Sequence, residues 1–155
     1  MTGRIVRSAD FERVLAVAPK MRSEHFAAHH LPGCPSQPVK PAKLRSKVEL
    51  STEEAPTMVT AVDDFGEKAV GESLWLGLVV PKRHARRSVT RSLFKRQIRA
   101  ALGRHSGMLD AGLWVVRLRA PFAKLKYPSA ASEALQRAAR AELDGLFAGA
   151  ARRAR

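Results

Sequence analysis

Apolar residues recur at helical spacing near the start of the chain. The helix-spaced residues are Phe11, Val14, Leu15 and Ala18. Such spacing places side chains on one face of a helix, and Ser is a common residue at helix starts. Because Ser8 precedes the pattern and Pro19 ends it, we predict a helix over residues 9–18.

Three other stretches have the apolar patterns of β-strands. The segment S-E-H-F-A-A-H-H-L at 23–31 points Phe26 to one face and His29 to the other, since strand residues alternate. The run S-L-W-L-G-L-V-V at 73–80 is continuously apolar, which is typical of an interior strand buried on both faces. G-L-W-V-V-R-L-R at 112–119 predicts a third strand.

A second amphipathic helix is predicted between the last two of these strands, over roughly 89–103. Ser88 and Gly103 suit its two ends. One broad arc carries Val89, Leu93, Phe94, Gln97, Ile98 and Ala101. The rest of the helix and the residues just before it form a cationic face. The members of that face are Arg86, Arg87, Arg91, Ser92, Lys95, Arg96 and Arg99.

The end of the chain predicts one more helix, beginning at Ser129 or Ser132, and a frayed tail at about 149–155. The order helix, strand, long connection, strand, helix, strand, helix indicates an α/β (α+β) two-layer sandwich with helices packed on one small sheet. The whole chain, 1–155, is then a single domain.

The segment 32–72 differs in composition from the rest. It holds five prolines, no Trp or Tyr, and seven acids against five bases. Few buried contacts are expected from such a composition, so we interpret it as a long flexible insertion.

Charge indicates the class of partner. The chain has 28 Lys and Arg against 14 Asp and Glu, a formal net charge of +14. Nine Lys or Arg lie between Pro81 and Arg104, and no acid occurs between Glu72 and Asp110. Like charges on one helix face repel each other, so this face favours a polyanionic partner, above all nucleic acid.

Several other classes are disfavoured. A single cysteine, Cys34, allows neither an internal disulfide nor a cysteine-based zinc site. The N-terminus has no apolar signal core, and no apolar run approaches the roughly 20 residues of a membrane span. We therefore expect a cytoplasmic protein without a membrane partner. His25, His29 and His30 lack a third ligand or supporting residues, so no metal site is predicted.

The cationic helix favours RNA over DNA. A helix that reads the DNA major groove needs Asn or Gln at exposed positions, but this face offers only Ser92 beside Arg and Lys. Contact with backbone and shape is common in structured RNA. A structural RNA-binding protein of ribosomal type and a DNA-binding helix protein remain the alternatives.

The stretch K-R-H-A-R-R-S-V-T-R-S-L-F-K-R-Q-I-R resembles the signature helix of the bacterial ribonuclease P protein subunit, with Ser92 where the family has Asn. The flanking strands, the segment R-S-A-D-F-E-R-V-L and the closing helix resemble that family too. The positions that match the signature are Lys82, Arg83, Arg87, Arg91, Lys95, Arg96 and Arg99.

This resemblance implies a fold of the ribosomal protein S5 domain 2 type, with a mixed sheet and a left-handed βαβ crossover around the basic helix. General topology rules alone would predict a right-handed crossover. The resemblance also implies a ribonucleoprotein endonuclease whose catalytic RNA subunit holds Mg²⁺ and cuts the 5′ leader from precursor tRNA. No obligate protein partner is expected.

The resemblance implies two contact surfaces on the protein. The basic helix and the residues before it would bind the RNA subunit. A cleft between the first helix and the sheet would bind the leader through Phe11, Leu15, Phe26 and His29. Phe11, Leu15 and Phe26 also suit a hydrophobic core. No nucleophile, base and orienting residue occur together in the pattern, so no catalytic residue is predicted.

Overall fold

The computed structural model describes residues 2–36 and 73–153, which form five strands and three α-helices. The strands are β1 (Thr2–Arg4), β2 (Met21–Arg22), β3 (Phe26–Leu31), β4 (Leu74–Val79) and β5 (Gly112–Leu118). The helices are α1 (Ser8–Ala16), α2 (Ser88–His105) and α3 (Glu133–Arg152), and the 3-10 turn Ser106–Met108 follows α2. Residues 37–72 of the predicted insertion lie outside the described part of the chain.

All five strands join one mixed sheet in the order β1-β4-β5-β3-β2. β1, β4 and β5 are parallel neighbours, whereas β3 is antiparallel to β5 and β2 is antiparallel to β3. β4 is an interior strand, as its continuous apolar run predicts. Because α2 connects the parallel neighbours β4 and β5, it is the crossover helix. The predicted α+β class, with helices packed on one small mixed sheet, is confirmed, and the hand of the crossover stays a prediction.

Alternation along the central strand β5 builds a core on each face of the sheet. Trp114, Val116 and Leu118 are buried against residues of α2 and α3. Leu113 and Val115 point the other way and pack with Val14 of α1. The sheet therefore has two helices on one face and α1 over part of the other.

The helix starts differ partly from the predicted ones. Ser132 caps α3, since its hydroxyl accepts a hydrogen bond from the backbone N–H of Leu135 at 3.2 Å. Ser8 and Ser88 are instead the first helical residues of α1 and α2. The N-cap positions belong to Arg7 and Arg87, and neither provides a side-chain cap.

The predicted frayed tail is wrong for residues 149–152, because α3 continues to Arg152. The physical reason is packing against β2. Gly149 and Ala150 are buried, and a β-carbon at Gly149 would lie 2.6 Å from Cε of Met21. Residues 154–155 lie outside the described part of the chain.

Candidate nucleic-acid interface

α2 is amphipathic in the way the sequence predicts. Its buried residues are Leu93, Phe94, Ile98, Ala101 and Leu102. Arg86, Arg87, Arg96 and Arg99 are exposed, as are Lys82 and Arg83 before the helix and Ser92 within it. Val89 was expected in the apolar arc but is 55% exposed. The first turn presents Thr90 to the neighbouring segment instead, where its Oγ1 donates to the carbonyl oxygen of Ala130 at 2.6 Å.

The charge on this surface has no acidic counterpart nearby. Among the described residues, no carboxylate forms an ion pair with any Lys or Arg between 82 and 99. Arg104, at the end of the same helix, shows the contrast, since its Nη2 lies 2.7 Å from Oδ1 of Asp144. A cluster of unneutralised cations held on a rigid helix attracts a polyanion. We call residues Lys82, Arg83, Arg86, Arg87, Arg96 and Arg99 the basic surface.

Arg91 differs from its neighbours because it is half-buried. Its Nη1 donates hydrogen bonds to the carbonyl oxygens of Ala85 at 3.0 Å and Arg86 at 2.7 Å. The guanidinium thus holds the segment before α2 in place. A direct RNA contact by Arg91 stays a prediction, and a structural role now accompanies it.

Lys95 and Arg99 extend the cationic area toward the sheet edge. With Arg4 of β1 and Phe11 of α1 they line a cavity of about 340 Å³. Phe11 is half-buried there and contacts β4 at Gly77. The structure therefore places Phe11 beside the α2 cations, at the side of α1 that faces the sheet edge.

A second concave region lies where the C-terminal end of α1 meets the sheet. This cavity of about 450 Å³ brings together two residues predicted for the leader cleft, Leu15 and His29. Its other polar lining residues are Arg22, Arg117 and Arg119, all exposed. We call it the α1 cleft. No acidic residue is among its lining residues.

Phe26 was predicted for the same cleft, and that prediction is wrong. The side chain is 0% exposed and packs in the core under α2 and α3, edge-on to Phe94. The register pairs Phe26 with Leu118 and His29 with Val115. Since Leu118 and Val115 point to opposite faces, Phe26 and His29 cannot share one cleft.

The surroundings of His29 favour its neutral form. Its Nδ1 donates to the carbonyl oxygen of Val17 at 2.9 Å, and Nε2 is buried with no partner among the described residues. Burial lowers the pKa of His29, although the hydrogen bond to Val17 opposes this, and Arg117 and Arg22 lower it further. The cationic character of the α1 cleft therefore comes from its arginines.

Sequence reasoning missed these three arginines. Arg22 lies on the two-residue strand β2, and Arg117 and Arg119 lie on or just after β5. The available signal was Arg117, a charged residue in an otherwise apolar strand. Its partner across the sheet is Ala27, which places it on the α1 face.

Asp10 is a further unpredicted feature, since this carboxylate is fully buried at the start of α1. It accepts hydrogen bonds from the backbone N–H and the hydroxyl of Ser36, and from Nη1 of Arg13 at 3.1 Å. The hydroxyl of Ser36 is the main cause that holds the pKa of Asp10 below its ordinary value, against the effect of burial. Asp10 thus fastens the segment after β3 to α1.

Comparisons with known proteins agree with this architecture. A family model described as Ribonuclease P matches residues 2–142. The ribonuclease P protein component of Bordetella parapertussis is 46% identical over 77 residues, which cover 50% of this chain and 58% of that protein. That of Burkholderia pseudomallei is 39% identical over 85 residues, covering 55% and 62%. The chain thus matches about three fifths of the length of these relatives.

Two solved structures share the fold. The RNase P protein of Staphylococcus aureus superimposes with a TM-score of 0.51 at 19% identity, covering 94% of this chain and 92% of that one. A mutant of that protein, described as defective in mRNA degradation activity, gives 0.54 at 16% identity, covering 94% and 85%. At such identities the likeness concerns the fold alone.

Proposed function

This chain belongs to the ribonuclease P protein family, and we propose that it acts as the protein component of a ribonucleoprotein that removes the 5′ leader from precursor tRNA. Its partners would be the catalytic RNA subunit and the precursor tRNA. The observation that carries this proposal is the basic surface on and just before α2, whose cations have no carboxylate partner among the described residues while the reverse side of the helix is buried.

The basic surface would bind the RNA subunit. Its arginines and lysines can contact phosphates without reading bases, which suits a large folded RNA. Ser92 lies exposed within this surface, so its hydroxyl can reach a backbone oxygen. Binding of this kind releases counterions and weakens steeply as salt rises.

The α1 cleft would hold the single-stranded leader. Arg22, Arg117 and Arg119 supply charge for its phosphates, while Leu15 and His29 form the wall of the cleft. Phe11 lies one turn before Leu15 on the same face of α1 and lines a different cavity, together with Lys95 and Arg99. A leader strand that runs from the α1 cleft along α1 toward its N-terminal end would meet Phe11, and stacking on it would contribute about 1–3 kcal/mol per base.

The chemical step would belong to the RNA. Across residues 2–36 and 73–153, no three His, Cys, Asp or Glu side chains converge in a way that could hold a metal ion. The described residues therefore offer no such cluster for the Mg²⁺ that the resemblance assigns to the RNA subunit, and no step is assigned to such an ion on this chain. Within the same ranges, no helix is both long and apolar enough to cross a membrane.

Reconstitution tests the proposal. The purified protein is added to its cognate catalytic RNA at low Mg²⁺, and the cleavage rate of precursor tRNA is measured with and without the protein. Binding of precursor tRNA is compared with binding of mature tRNA, which lacks the 5′ leader. We expect the protein to accelerate cleavage and to make binding of the precursor tighter than binding of the mature form. Unchanged cleavage would refute the proposal and favour a structural RNA-binding protein of ribosomal type, whereas tighter binding to one DNA duplex than to folded RNA would favour a DNA-binding protein.

A further inference from the structure

A groove lies between the start of α2 and the connection from β5 to α3. Residues 83–90 form one wall and residues 121–130 the other, and the groove has a volume of about 600 Å³. We call it the crossover groove. Its lining includes Arg83, Arg86 and Arg87 of the basic surface, but it shares no lining residue with the α1 cleft.

Hydrogen bonds hold both walls in place. Thr90 Oγ1 donates to the carbonyl oxygen of Ala130 at 2.6 Å, which joins one wall to the other. Arg91 fastens the first wall through its bonds to the carbonyl oxygens of Ala85 and Arg86. The second wall contains a turn in which the N–H of Tyr127 donates to the carbonyl oxygen of Ala123 at 3.0 Å. The groove is thus largely preformed, which lowers the cost of binding.

Two aromatic rings line the groove in a fixed arrangement. Phe122 stacks on His25 with ring centroids 3.8 Å apart and planes 11° apart. Tyr127 meets Phe122 edge-on, with centroids 5.8 Å apart and planes 74° apart. His25 is itself anchored, since its Nδ1 donates to Oε2 of Glu142 at 2.8 Å. Tyr127 is half-buried and therefore offers a positioned, partly accessible ring.

The charged residues that line the groove are all cationic. Arg83, Arg86, Arg87 and Lys124 line the groove, and no Asp or Glu is among its lining residues. Aromatic rings stack on the exposed faces of unpaired bases, and flanking cations pair with the phosphates on either side. Bases in a duplex already stack on one another, and an acidic peptide would match the charge but not the rings. The combination fits single-stranded RNA.

We propose that the crossover groove binds an unpaired nucleotide of an RNA strand, whose base stacks on Tyr127 and whose neighbouring phosphates contact Arg83, Arg87 and Lys124. The identity of the partner as RNA rests on the proposed function. That the groove is a binding site is inferred from its shape, its aromatic rings and the charge of its lining residues. The β5–α3 connection would thereby become a third RNA contact of the protein.

A fluorescent reporter in the groove tests this proposal. Tyr127→Trp keeps an aromatic ring and adds an indole whose emission is compared with that of the parent chain. We expect a ten-nucleotide oligouridylate to quench the added emission, and an abasic oligomer of the same length and charge to leave it unchanged. Equal quenching by both oligomers, or none by either, would overturn the proposal. Polyglutamate that quenches as strongly as oligouridylate would also overturn it, because that result indicates a peptide site.

Affinity measurements supply the second readout. In the Phe11→Ala background, Tyr127→Ala should weaken oligouridylate binding roughly fivefold to a hundredfold, in line with the loss of one stacked base. Tyr127→Phe should retain the affinity. Equal affinities for all three chains would overturn the proposal. If circular dichroism shows that Tyr127→Ala is unfolded, the tryptophan reporter decides alone.

The outcomes separate this site from the proposed function. Precursor tRNA cleavage with the catalytic RNA is measured in parallel on the same preparations. Base-dependent quenching without stimulated cleavage supports the groove and refutes the proposed function. Stimulated cleavage with a reporter that does not respond to bases refutes the groove and leaves the proposed function standing.

Discussion

The ring of Phe11 lies directly on Gly77 of β4. A β-carbon at Gly77 would stand 2.5 Å from Cε1 and 2.9 Å from Cζ of Phe11, and 3.1 Å from Cγ2 of Val115. The bare backbone at this position therefore lets α1 approach the sheet closely. Because α1 forms one side of the α1 cleft, this contact also sets the position of the cleft.

Gly77→Ala should destabilise the protein by about 1–3 kcal/mol, the usual cost of adding a methyl group to a filled site. Urea denaturation measures this change. Phe11→Ala in the same chain should recover part of the loss, since the two groups are in contact. Gly145→Ala is the matched control, because a β-carbon there meets nothing within 4 Å, and helix propensity should raise stability by up to about 1 kcal/mol. If the changes in unfolding free energy of the two single variants simply add in the double variant, the contact between these residues is contradicted.

Arg96→Ala with Arg99→Ala should weaken assembly with the RNA subunit without changing stability. Both side chains are exposed and belong to the basic surface. Loss of two phosphate contacts should reduce the slope of log affinity against log salt by roughly two, about one per contact. Filter binding over a range of salt concentrations measures it. Arg137→Ala, which removes one exposed arginine from α3, should leave the slope unchanged.

Arg117→Ala should act on substrate preference rather than on assembly. Arg117 lies on the α1 face of β5 and lines the α1 cleft. Its loss removes a cation from the predicted leader path, so the preference for precursor over mature tRNA should fall while affinity for the RNA subunit stays the same. Competition binding with the two tRNA forms measures this preference. A parallel loss of RNA-subunit affinity would show that the two surfaces are one.

Arg91→Ala should lower both stability and RNA binding, unlike substitutions at Arg96. Two hydrogen bonds to backbone carbonyls are lost, each contributing about 0.5–1.5 kcal/mol. Arg91→Lys should not fully restore them, because both bonds come from Nη1 at the end of a side chain that is longer than that of lysine. Urea denaturation together with filter binding distinguishes this outcome from a pure RNA contact, which would leave stability unchanged.

Apolar patterns in the sequence predict most of the helices and strands but not the two edge strands of the sheet. β5 and α2 are predicted because each contains enough residues to show a repeat, and β4 is predicted because its apolar run is continuous. β1 and β2 have three and two residues, too few for any repeat, and they exist through pairing with β4 and β3. Such pairing depends on register across the sheet, which no local pattern contains.

Functional residues that lie on one element were predicted from the sequence, whereas those contributed by several elements were partly missed. The basic surface lies on and just before one helix, so its members appear together in the sequence. The α1 cleft draws Arg22, His29 and Arg117 from three strands. The resemblance places Phe26 in the cleft with His29, whereas strand alternation sets these two residues on opposite faces of the sheet, as the structure shows.

Acid should destabilise the protein partly through Glu142. Burial raises the pKa of this carboxyl, but hydrogen bonds from Ser23 Oγ, the N–H of His25 and Nδ1 of His25 outweigh it and hold the pKa below the ordinary 4.5. A lowered folded-state pKa gives stability that is complete above about pH 4.5 and is lost as pH falls through the folded value.

Glu142→Gln should therefore cost about 1.5–3 kcal/mol at pH 7, the range for a hydrogen bond to a charged group. Its deficit relative to the parent chain should shrink as pH falls below 4.5, because the parent then loses the same charge. Urea denaturation at pH 7 and at successively lower pH measures both values. Glu12→Gln, at an exposed position of α1, is the matched control and should follow the parent chain throughout. A deficit for Glu142→Gln that is independent of pH would show that the carboxylate charge is not what anchors His25.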